Sequence, residues 1–148
     1  MKIRLDAAVL HATVVVALAG PAAAEGFLPY RDAQAVAAGQ RIYAEHCAAC
    51  HGADLEGEAD WRVRDADGYL PAPPHSEEGH TWHHPDAQLF AITKYGTEAL
   101  VGGTYRSRMM GYEDVLSDDE IVQTLAYIKS RWPDHVIQRH DEINRNAD

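Results

Sequence analysis

The sequence predicts an all-α domain: three main helices joined by long loops. Two observations carry that prediction. Three segments show helical spacing with recognisable start and stop signals, and no segment alternates apolar and polar residues as a half-buried strand does. The remaining stretches are rich in Gly, Pro, Asp and His. With 148 residues the chain suits one domain and not comfortably two.

The N-terminus reads as a leader. Lys2 and Arg4 precede an apolar run from Ala7 to Ala19, broken by His11 and Thr13. Gly20-Pro21 ends the run, and Ala22-Ala23-Ala24 offers small residues at the cleavage positions. The expectation is a signal peptide over residues 1–24, cut before Glu25, with Asp6 a mild departure. The run is well short of the roughly 20 apolar residues that span a bilayer. One domain over residues 25–148 is expected to remain, with its core at about 33–133.

After an exposed arm, "EGFLPYRD", the first helix is expected from about Ala33 to His46. Good helix formers dominate it and Asp32 suits the N-cap. Ala35, Val36, Ile42 and Tyr43 can share an apolar side. Gly39 lies mid-helix, where a glycine needs a packing reason. From Gly52 to His84 there is no periodicity, and so long a loop is unusual unless it wraps something that is not protein.

The second helix has Pro85 at its first position, carries Leu89, Phe90, Ile92 and Thr93, and stops at Gly96. The third starts at Ser117, which has capping-box spacing to Glu120. Ile121, Leu125 and Ile128 share its face, Lys129 and Arg131 complement its C-terminus, and Pro133 ends it. The tail from Asp134 is polar, and either frayed or a short solvated helix.

The only two cysteines stand in "CAACH", Cys47 to His51. Zinc needs about four ligands, and nothing imposes the other two. A thioredoxin-like pair wants a βαβ setting. A bare disulfide suits an exported protein but leaves His51 unexplained. Covalent haem attachment uses all three residues: two thiols add to the two vinyl groups, and the next residue reaches the iron. A haem would also give the long loop something to pack on. The second axial position would fall to a His, a Met or nothing. Met109 and Met110 lie together in a Gly-flanked loop, where filling a core is a less natural use.

On these residues the stretch from about Ala37 to Pro133 resembles a class I cytochrome c of the small bacterial type. "GQRIYAEHCAACHG" resembles the first helix and attachment site, and "LSDDEIVQTLAYIKSRWP" the last helix. "SRMMGYEDVLSDDEI" resembles the Met-Pro-x-aromatic stretch before it. The resemblance implies haem c on Cys47 and Cys50, His51 and Met109 on the iron, and a close helix crossing at Gly39, Tyr43 and Tyr127. It also implies a proline carbonyl bonded to His51. Among Pro71, Pro73 and Pro74, Pro73 is the choice. Met110 stands where the family has proline, so it remains an alternative ligand.

The implied function is a periplasmic carrier of single electrons and not an enzyme. Its partners would be redox proteins, such as a membrane oxidase or reductase. The formal net charge of −10 favours partners with a positive patch and excludes non-specific nucleic-acid binding. His75, His80, His83 and His84 lie outside that pattern, although "PAPPH…GHTWHHPD" resembles a subgroup of these cytochromes. They suit a copper or zinc site, or hydrogen bonds to haem propionates with Trp82 on the ring, or simply a capped polar loop. The alternative function is therefore a haem-based small-ligand sensor or a copper-handling protein.

Overall fold

A computed structural model describes residues 26–147, so the leader and its cleavage point before Glu25 lie outside the described residues. The chain order is α1 (Ala33–His46), α2 (Ala48–His51), a 3-10 turn (Thr81–His83), α3 (Asp86–Tyr95), α4 (Thr97–Val101), α5 (Asp118–Ser130) and α6 (Asp134–Arg145). The described residues contain no strand beyond one isolated bridge between Gly96 and Met110.

The helix starts follow from local chemistry. The Asp32 side chain accepts from the amides of Gln34 and Ala35 at 2.8 and 2.9 Å. Such a cap stabilises a helix by about 1 kcal/mol. At α5 the Ser117 side chain accepts from the Glu120 amide, and the Glu120 carboxylate accepts from the Ser117 amide. That carboxylate is held below its usual pKa, chiefly by this bond to the Ser117 backbone.

Helices α1 and α5 cross as the central pair. Gly39 is buried at the crossing, where a Cβ would overlap the Gln123 carbonyl oxygen. Tyr43 packs on Tyr127 across the same crossing, ring centroids 5.4 Å apart. Ile121, Leu125 and Ile128 of α5 join Leu89 of α3, Leu116 and Trp132 in one apolar cluster. The segment from Gly52 to His84 is irregular apart from the 3-10 turn, and Leu55 is its anchor in that cluster.

Two expectations fail. The arm is not simply exposed, because Leu28 is buried and the amides of Phe27 and Leu28 donate to Asp86 Oδ2 at 2.7 and 3.0 Å. The tail is neither frayed nor fully solvated, because α6 buries Val136, His140, Asp141 and Asn144. Asp86 also accepts from Asn144 Nδ2 at 3.2 Å, and the Asp86 amide donates to Asn144 Oδ1 at 2.8 Å. His140 Nε2 lies 3.0 Å from the His84 carbonyl. Burial, then the Lys129 cation, lowers the His140 pKa, so the neutral imidazole donates there. Lys129 is the basic residue in the last turn of α5. Its side chain is 0% exposed and pairs with Asp141 at 2.6 Å. Arm, α3, α5 and α6 are thus joined through polar side chains that leave no apolar stripe in the sequence.

Candidate functional site

Cys47 is where α1 passes into α2. Its amide donates to Tyr43 O at 2.9 Å, and its carbonyl accepts from the His51 amide at 2.9 Å. One helical turn therefore carries Cys47, Cys50 and His51. Cys47 is half-buried and Cys50 exposed, and the two are not joined in a disulfide. Burial, then the neighbouring Cys50, pushes the Cys47 thiol up to about 11 before any attachment.

His51 is buried. Burial lowers its pKa, against the opposing effects of the Pro73 hydrogen bond and Glu58. Its Nδ1 lies 2.9 Å from the Pro73 carbonyl oxygen. With a neutral ring, Nδ1–H donates to that carbonyl and Nε2 keeps its lone pair, the form a metal ligand requires.

The carbonyl is held by a clip of two loop segments. Gly57 N donates to His51 O at 2.8 Å, Glu58 N to Ala72 O at 2.8 Å, and His75 N to Leu55 O at 2.9 Å. Gly57 has φ +69°, and a Cβ there would stand 2.5 Å from Pro74 N. Only glycine combines that backbone with that approach.

The methionine loop is tied back to the same region. Tyr112 Oη donates to His46 O at 2.8 Å, and the Tyr112 amide to Lys94 O at 2.9 Å. Met109 is half-buried, with Sδ 3.7 Å from Thr97 Oγ1. Met110 is 66% exposed.

A second tie holds residues 105–110. The Arg106 and Arg108 guanidiniums lie 4.2 and 4.3 Å from the Tyr69 ring centroid. Arg106 also bonds the Tyr69 hydroxyl and donates to Asp67 O at 2.9 Å. Arg108 pairs with Asp65 at 2.6 Å. Tyr69→Leu should remove both cation–π contacts, at about 0.5–1 kcal/mol each. Several-fold faster amide exchange over 105–110, with exchange in α5 unchanged, is the expected result.

The four extra histidines meet only in part: the His80 and His84 rings lie edge to face, with centroids 5.6 Å apart. His75 stacks on His51, with centroids 4.0 Å apart and planes at 21°. His80 stacks on Trp61 at 5.4 Å. His83 lies against Trp82 at 3.8 Å, and the His84 carbonyl serves His140. Among the described residues, no group of three or more His, Cys, Asp or Glu is arranged to hold a metal ion. The copper or zinc reading of this segment therefore finds no support in the geometry.

Sequence reasoning missed Gly57 and Trp132 as parts of the site, and singled out His75 for other roles than its stack on His51. Trp132 Nε1 donates to the His75 carbonyl at 2.7 Å, across 57 residues of chain. Only the unexplained density of histidines hinted at His75.

These residues fit a covalently held haem. Two cysteines share one turn, the adjoining imidazole is neutral with its basic Nε2 uncommitted to Pro73, and a thioether sits on a loop tied to α1. No helix among the described residues is long and apolar enough to cross a membrane. No curated protein and no solved structure matches the chain. The family model for cytochrome c matches residues 36–132, from α1 to the end of α5. The chain belongs to the cytochrome c family: it is a haem-containing electron carrier whose haem c is attached covalently.

Proposed function

We propose that the protein is a periplasmic mono-haem carrier of single electrons with His/Met axial ligation. Cys47 and Cys50 are the thioether tethers, and His51 and Met109 the axial ligands. The haem supplies the one-electron couple, and the chain supplies ligation, burial and tuning. The observation that carries this reading is the placement of His51 in one helical turn with Cys47 and Cys50, its Nδ1 2.9 Å from Pro73 O. That bond fixes the tautomer and raises the basicity of Nε2.

Met109 is preferred to Met110 because it is half-buried while Met110 is 66% exposed. A thioether ligand raises the reduction potential. Met109→Leu is expected to abolish the iron–thioether absorption band and lower the potential, whereas Met110→Leu should retain both. A retained band in Met109→Leu would refute the assignment.

The partners we propose are redox proteins, such as a membrane oxidase or reductase, that present a positive patch. The chain's formal net charge is −10. Complementary charge of this kind speeds association, and salt screens it.

A further inference from the structure

We propose that His75 is a positioning residue for the axial imidazole: its ring, stacked face to face on His51, fixes the angle of the His51 plane. The inference rests on His51 being an iron ligand. A hydrogen bond from Nδ1 to Pro73 O holds one point of the ring and sets its tautomer. It does not stop the ring pivoting about the line from that contact to Nε2. A second ring packed 4.0 Å away at 21° does stop it, because any pivot drives one edge into the neighbour.

His75 is well placed to be the fixed partner. Its carbonyl accepts from Trp132 Nε1 at 2.7 Å, and its amide donates to Leu55 O at 2.9 Å. Its Nδ1 lies 2.8 Å from Thr81 Oγ1. Its ring also meets Tyr43 edge-on, with centroids 6.2 Å apart. Tyr43 belongs to the α1–α5 crossing, and its hydroxyl donates to Gly52 O at 2.9 Å. Both restraints on His51, the carbonyl of Pro73 and the plane of His75, therefore come from residues two apart in one clip. That clip is anchored to the helical core at Trp132. The backbone bonds of position 75 survive any side-chain replacement, so the stack can be removed without removing the clip.

The test compares haem-loaded wild type with His75→Ala, His75→Leu and His75→Phe. The readout is the spread of haem-methyl proton shifts in the oxidised protein, which narrows when an axial ring samples more angles. Alanine, and the volume-filling leucine, should narrow the spread, and phenylalanine, which keeps a plane on His51, should preserve it. Unchanged spread in either aliphatic variant that takes up haem overturns the proposal. A phenylalanine variant as narrow as the aliphatic ones overturns it too, since the Thr81 bond would then matter and the stack would not. A wild type without the thioether band refutes the Met109 ligand alone. The opposite face is the same in all four proteins, so differences in spread between them report on His51.

Discussion

Lys129→Met is expected to destabilise the fold by about 3–5 kcal/mol, the range for removing one partner of a buried ion pair. The Lys129 side chain is 0% exposed and that of Asp141 8%. Lys129 Nζ donates to Asp141 Oδ1 at 2.6 Å. Lys129 Nζ also lies 4.5 Å from the Tyr30 ring centroid, so the cation helps hold the N-terminal arm. Without it the buried carboxylate loses this cation. The double variant Lys129→Met with Asp141→Leu should recover most of the loss, because an apolar pair needs no desolvation. Denaturant midpoints of the haem-loaded proteins measure both. A loss below about 1 kcal/mol in the single variant would mean that the pair behaves like a solvated surface bridge.

Gly39→Val is expected to cost about 1–3 kcal/mol or more, the range for overpacking a well-filled core. The obstacle at position 39 is backbone, the Gln123 carbonyl, which cannot move aside as a flexible side-chain tip can. The sharper form of the prediction is Gly39→Ala. In an exposed helix that change gains about 1 kcal/mol of propensity. Here it should lose stability, because α1 and α5 must separate and the Tyr43–Tyr127 contact at 5.4 Å loosens with them. A lower melting temperature with a weakened near-ultraviolet tyrosine signal is the expected result. A Gly39→Ala protein that melts above the wild type would contradict the tight crossing.

What the sequence revealed and what it hid have separate physical causes. Helices α1, α3 and α5 were legible because caps and apolar spacing are local: Asp32, Ser117 with Glu120, and Ile121, Leu125 and Ile128 signal over a few residues. The attachment motif was legible because one helical turn contains it. The α6 helix was not. Its buried face includes His140, Asp141 and Asn144, and hydropathy counts such residues as surface whatever lies opposite them. The arm was misread for the same reason, since Asp86, which holds it, reads as an ordinary acidic residue at a helix start. The contacts of His75 escaped because its neighbours are distant in sequence: His51 lies 24 residues before it and Trp132 57 after. Spacing rules do not reach such pairs.

The absorption spectrum of the haem-loaded protein in both oxidation states, with carbon monoxide added to the reduced form, tests the central claim most directly. A carrier with His51 and Met109 on the iron should show the iron–thioether band when oxidised and ignore carbon monoxide when reduced. Absence of that band together with ready carbon monoxide binding would contradict the account and favour a ligand-sensing role.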